Sequence, residues 1–323
     1  MPGFATHYLF GVSTIQKQKQ TPLFAHIKHH PTVYGLGLQG PDVFFYYVPD
    51  FLRPMNNPGA AAHRERTGHF LHYLLESRKL FTKPSDLEIA TVYIQGFLGH
   101  YTLDTTCHPY IYGRTHYSPE DGSYYGRHVY LETDIDAFLL AQYKKMLPSD
   151  FYQARTIRLT DKECHVVAAI LHYVYDLVFP DLHISYHHMR SAIRFMEFAV
   201  GALHDPTGKK KALVRLIEGK FPGYAYASPL IASDSLRFTR DPMNFSHRLW
   251  RNPWQKSDAS RETFFDLLKK ARMTYQKRLS LCERLFAYDT LPEDRADQAT
   301  YDMLLAELEN DLGNRSYSSG LEL

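Results

Sequence analysis

Apolar positions recur every three to four residues along most of this chain, and that recurrence predicts helices rather than strands. Over 85–107 the stripe runs through Leu87, Ala90, Ile94, Phe97 and Leu98, opening on Pro84 and Ser85 with Glu88 three residues later, a capping-box pattern. Over 132–147 it runs through Ile135, Phe138, Leu139, Tyr143 and Leu147. Over 160–179 it opens on Thr160-x-x-Glu163 and continues through Val166, Ile170, Tyr173 and Leu177. Residues 185–203, 209–218, 260–288 and 295–312 read the same way. No Val/Ile/Thr alternation is flanked by Asn-Gly or Asp-Gly turns, so the expected class is mainly α, a multi-helix bundle. Glycine and proline gather at 35–40, 49–59, 110–126 and 222–254, which predicts loops. The polar tail 313–320 is expected to fray. The run His204-Asp205-Pro206-Thr207-Gly208 suggests a boundary. It would divide a helical core, 1–205, from a helical C-terminal extension, 206–323, packed on it, unless the two form one continuous domain.

Polar residues break this pattern at telling places. Eleven histidines fall in the first 132 residues. His100, Asp104 and His108 are spaced four apart, so they line one helix face. His108 precedes Pro109, which disfavours helix at that point and predicts a helix end there. His128 and Glu132 form a second pair at the same spacing, set at the start of the next helix by a loop able to fold back. Asp42 follows Gly40-Pro41, where the backbone can turn sharply, and His69, His72 and His7 add nitrogen donors. Imidazoles and carboxylates converging in an apolar setting need partners, and a divalent metal such as zinc is one that suits them.

Composition narrows the partners. The chain has 323 residues and a formal net charge of +2, which gives no case for bulk nucleic-acid affinity. The three cysteines form no CxxC pair and no disulfide framework. The first residues lack a basic stretch followed by an apolar one, and no run of eighteen apolar residues occurs, so the expected compartment is the cytoplasm. The 24 Tyr and 20 Phe point to an aromatic core, with an apolar pocket as the functional reading.

Taken in order, Thr6-His7, Asp42, His69-Phe70, His100-Tyr101-Thr102-Leu103-Asp104, His108 and His128-x-x-x-Glu132 resemble the metal-binding run of the zinc-dependent phospholipase C family. Zinc nucleases that cut single strands share that family's fold. The resemblance covers roughly 1–200 and implies a cleft between helices holding two to three zinc ions. It implies Asp42, His69, His100 and Asp104 on a first metal, and His108, His128 and Glu132 on a second. His7, Asp104 and the N-terminal backbone would hold a third, with Asp104 bridging. Asp42 would serve as both ligand and general base. The implied reaction is phosphoester hydrolysis, acting on a phospholipid or small phosphodiester, with peripheral membrane contact as a further reading and nucleic acid a lesser one. Three departures stand out. The Asp104–His108 gap is shorter than the family's, the Asp42–His69 gap is longer, leaving His63 and His72 as rival ligands, and the family's N-terminal tryptophan is absent. Removal of Met1 would expose the amine of Pro2 five residues before His7.

Rival readings are weaker. His204-Asp205 suggests the all-helical His-Asp phosphohydrolases, but Pro206 and Gly208 follow at once and no matching upstream histidine exists. A closed metal site in a non-catalytic lipid- or metal-binding protein is the alternative of a different class. His165 and His172 share a helix face, the segment 244–254 holds both tryptophans, and Lys209-Lys210-Lys211 reads as a solvated face with a slight case for anionic lipid.

Overall fold

A computed structural model describes residues 3–17, 21–118, 120–121, 124–220, 227–232, 234, 241–291 and 297–323. Among them the helices are α1 (Phe4–Ile15), α2 (Pro22–His29), α3 (Pro31–Gly37), α4 (Val43–Tyr46), α5 (Val48–Phe51), α6 (Pro58–Arg64) and α7 (Thr67–Glu76). They continue as α8 (Pro84–Arg114), α9 (Tyr124–Lys144), α10 (Asp161–Val178), α11 (Tyr186–Leu203), α12 (Lys209–Glu218), α13 (Phe264–Asp289) and α14 (Gln298–Leu312). A small antiparallel hairpin, β1 (Trp250–Asn252) and β2 (Gln255–Ser260), is the only sheet among the described residues, a feature the alternation test missed. The chain is therefore mainly α, as expected. No described helix is long and apolar enough to cross a membrane.

Helix α8 is the axis. Its residues from Ile89 to Asp104 are buried on every side, so it shows no amphipathic stripe in this stretch and must be surrounded. Helices α3, α13 and α10, with β1 and α1, do the surrounding. Helices α3 and α8 cross at glycines: a Cβ on Gly96 would lie 2.7 Å from the Tyr34 carbonyl oxygen, and one on Gly37 would lie 2.5 Å from that of Tyr93. Only glycine permits that approach.

The capping box at Thr160 forms, with the Thr160 hydroxyl and Glu163 carboxylate exchanging bonds, and α10 and α12 fall where the periodicity placed them. The box expected at Ser85 does not: α8 begins at Pro84 after an extended Lys83 with no side-chain cap. Nor does α8 end at His108. It runs 31 residues, through Pro109 to Arg114. A proline inside a helix costs about 3 kcal/mol. Beyond it Tyr110 and Ile111 are fully buried, Tyr110 packing on Trp250 and Phe264, and each such burial returns about 1.5–3 kcal/mol. Packing therefore carries the helix past the proline. Likewise α9 starts eight residues before the predicted 132, so His128 lies inside the helix.

The tail is not frayed. Tyr317 is fully buried, with its ring centroid 4.7 Å from that of His63 and 5.1 Å from that of Tyr101. Tyr101 donates its hydroxyl to the Leu312 carbonyl at 2.8 Å, and Arg278 of α13 ties Thr102 to Asp311. Nearly all the buried apolar side chains form one continuous cluster from Phe4 to Tyr317. Tyr317→Ala is expected to lower stability by about 3–5 kcal/mol, as truncation of a large buried aromatic does. Urea unfolding checks this, and a loss under about 1 kcal/mol would mean that the tail is loosely held.

Candidate metal centre

Five segments bring eight ligand-type side chains together. Helix α8 contributes His100, Asp104 and His108 from one unbroken stripe, so His108 keeps the phase of the other two. Asp42 ends a tight turn that begins at Gly40, whose φ is +53°, and a Cβ at Gly40 would lie 2.3 Å from the His100 ring. Both the conformation and the approach demand glycine. Helix α9 contributes His128 and Glu132.

Helix α1 contributes His7. Asp136, one turn beyond Glu132 on α9, accepts hydrogen bonds from the Ala5 N–H at 3.0 Å, the Thr6 N–H at 2.7 Å and the Thr6 hydroxyl at 2.6 Å. It occupies the N-terminal turn of α1, where orphan N–H groups and the helix dipole favour a carboxylate. Burial nevertheless pushes its carboxyl up to about 6. Sequence reading missed Asp136, although its four-residue spacing from Glu132 continues the same stripe.

The eighth member of the cluster is His63, not His69. His69 is exposed, off the buried face of α7 formed by Phe70, Leu71, Leu74 and Leu75, and it borders a surface depression with His72 and Asn314. His72 pairs with Glu309 at 2.5 Å. His63 sits in the last turn of α6, a short helix started by Asn57 and Pro58 and packed on the Asp42 turn. The overlong Asp42–His69 gap was the sequence signal pointing to His63.

The ligand atoms form three groups, the first two sharing His100: His7, Asp42 and His100; His63, His100 and Asp104; and His108, His128 and Glu132. Asp104 is central. Its Oδ1 lies 3.1 Å from His7 Nε2, and its Oδ2 lies 3.2 Å from His100 Nε2 and 3.6 Å from His63 Nε2. His63 Nε2 is 3.3 Å from Asp42 Oδ1, and His128 Nε2 is 2.6 Å from Glu132 Oε1.

These residues fit metal ions. His7 Nε2, Asp42 Oδ1, His63 Nε2, His100 Nε2, both Asp104 oxygens and His108 Nε2 are buried with no aligned hydrogen-bond partner, a costly arrangement unless something else satisfies them. Ligand atoms at about 2.0–2.2 Å from a tetrahedral zinc stand roughly 3.3 Å apart, which is the range seen around Asp104. The far ring nitrogens are already committed. His63 Nδ1 donates to the Gly59 carbonyl at 2.7 Å, His100 Nδ1 to Leu38 at 3.3 Å and His108 Nδ1 to Tyr317 at 2.7 Å. A carbonyl can only accept, so each Nδ1 carries the hydrogen and each Nε2 of a neutral ring is left as a lone pair. That is the way metal-binding imidazoles are oriented. The His108 anchor comes from the tail.

Charge state follows from the same geometry. Burial holds His108 and His128 well below the ordinary imidazole value, and His7 below it, so all three are neutral donors at pH 7. Burial also pushes His63 down, but the facing Asp104 and Asp42 outweigh it and raise it to about 9. For Asp104, burial works upward while His100, His108 and His7 hold it well below the usual carboxylate range. A metal must therefore displace the His63 proton, and below pH 9 that displacement grows costlier as pH falls. Metal affinity should rise about tenfold per pH unit between 6.5 and 9 for one proton displaced. Competition titrations against a chelator at three pH values check this; a pH-independent affinity would contradict it.

The cluster floors a cleft of about 350 Å³. His63, His108, His128 and Glu132 line it, together with Phe4, Phe45, Tyr46, Phe51, Tyr112 and Tyr124. Of the other marked segments, Trp254 packs on Tyr112 and Tyr117 behind this wall and Trp250 anchors on Tyr110. Asp205 is committed to the start of α12 through the Lys211 N–H, and His165 and His172 bond to Tyr186 and the Ile184 carbonyl instead of joining the cluster. The Pro2 amine lies outside the described residues. No known protein family, curated protein or solved structure matches this chain.

Proposed function

We propose that this chain is a zinc-dependent phosphoester hydrolase of the phospholipase C type. The observation that carries the reading is a buried eight-residue cluster of ligand-type side chains, four of which line a cleft. The group His108, His128 and Glu132 offers three ligands at the cleft surface, the count that distinguishes catalytic zinc sites with a free position from closed structural ones. Asp42, His63, His100 and Asp104 would hold the first ion, His108, His128 and Glu132 the second, and His7 with the two aspartates the third.

Bound zinc supplies a water acidified toward neutrality and positive charge for phosphate oxygens. The chain's own residues do the rest. Asp42 serves as ligand and as the base that orients the attacking water. The Nδ1 bonds to Gly59, Leu38 and Tyr317 hold three imidazoles in one tautomer, and Asp136 fixes the turn that carries His7. Aromatic walls exclude water from the phosphate and receive the organic part of the ester. Arg64 is the one lysine or arginine among the described cleft residues, which favours a small or lipid phosphoester over a polynucleotide, whose backbone calls for many cations.

The test is hydrolysis by zinc-loaded protein of bis(p-nitrophenyl) phosphate, short-chain phospholipids and single-stranded DNA, before and after chelation. The reading expects diester hydrolysis that chelation removes and zinc restores. Fastest turnover of DNA would move it to the nuclease branch. No turnover of any substrate by fully loaded protein would leave the non-catalytic binding protein.

A further inference from the structure

We infer that α12 is a docking helix for an anionic phospholipid surface. The inference stands apart from the hydrolase reading, because it rests on the outer face of the protein and requires no catalysis. Helix α12 turns Lys211, Val214 and Glu218 toward the body: Lys211 is buried over the Tyr130 ring of α9, and the Glu218 carboxylate accepts the Ala227 N–H at 2.7 Å. The opposite face is open. Leu213, Leu216 and Ile217 are 58%, 64% and 50% exposed, and at spacings of three and four they form one contiguous aliphatic patch. Lys209 stands one turn before Leu213 and Lys220 one turn after Leu216, so exposed cations bracket the patch, with Arg215 exposed beside it.

The charge pattern selects the occupant. From Lys209 to Glu218 there are four cations and one carboxylate, and that carboxylate is turned inward. A second copy packing its own α12 here would set Lys209, Arg215 and Lys220 against like charges. A bilayer with anionic headgroups satisfies both parts of the face. The aliphatic side chains enter the headgroup–acyl boundary while the long cationic ones reach the phosphates. The helix also touches the 228–230 turn, whose Leu230 lines the cleft, so docking would bring the cleft lip to the interface.

The experiment is vesicle co-sedimentation of the full chain, with phosphatidylcholine alone and with phosphatidylserine mixed in, for zinc-loaded protein and again with EDTA. The expected result is binding to the mixed vesicles alone, lost in high salt, the same in both metal states. Lys209→Ala with Lys220→Ala should weaken it about thirtyfold. Leu213→Ser, Leu216→Ser and Ile217→Ser together should abolish it, with circular dichroism and hydrolysis of a soluble phosphodiester unchanged. No binding, equal binding to both vesicle types, or full binding by the folded triple variant would overturn the inference. So would a concentration-dependent dimer that the triple variant abolishes.

Discussion

Asp104→Asn is expected to strip most of the metal from the protein and to lower kcat/KM for a phosphodiester by at least about 10³, roughly 4 kcal/mol of barrier. Both of its oxygens face imidazole nitrogens, at 3.1 Å to His7, 3.2 Å to His100 and 3.6 Å to His63. It is grouped with His63 and His100 and also lies against His7 of a second group, so one substitution is expected to weaken more than one ion. The amide keeps the size of the side chain but removes its charge and turns one acceptor into a donor, which cannot ligate. The fold has reason to survive, because the loss falls within a polar cluster while the surrounding aromatic packing is untouched. Elemental analysis beside circular dichroism separates the outcomes. A folded variant that retains two or more ions and its activity would show that Asp104 is not the shared ligand.

The second large effect is a contrast between two histidines six residues apart. His63→Ala should cost about one metal ion per chain and at least a hundredfold in activity, more than the 10–100-fold in affinity or activity usual for losing a residue that only supports a ligand. His69→Ala should leave both within about twofold, since exposed positions away from a site change little. The reason is helical phase. His63 closes α6 against the Asp42 turn, with Nδ1 fixed by Gly59 and Nε2 facing two aspartates, whereas His69 lies on the solvent side of α7. If His69→Ala alone removed metal and activity, the ligand set assigned to the first site would be wrong.

The contrast also shows what a sequence can carry. The α8 and α9 stripes were legible because four-residue spacing within one helix is a local property, and the same holds for the Thr160 capping box and the bounds of α12. His63 was legible only as a rival, because choosing between histidines on neighbouring short helices requires knowing which face packs on Asp42. Pro109 misled for a related reason: the local rule ends a helix there, but the burial of Tyr110 and Ile111 overrides it. The tail looked polar and short of apolar residues, yet Tyr317 supplies a buried ring and the carbonyl that orients His108, contacts made 209 residues away in the chain. Asp136 lies on the legible α9 stripe, but its partners, the Ala5 and Thr6 N–H groups and the Thr6 hydroxyl, belong to α1, and spacing within one helix does not reveal them.

The most direct measurement is metal content by elemental analysis of the purified full chain, supplied with zinc and then freed of loosely bound ions. The three ligand groups, two of which share His100, predict about two to three zinc ions per chain. They also predict that Asp104→Asn and His63→Ala each lower the count, and that His69→Ala does not. A well-folded wild-type protein that retains no metal under these conditions would contradict the account.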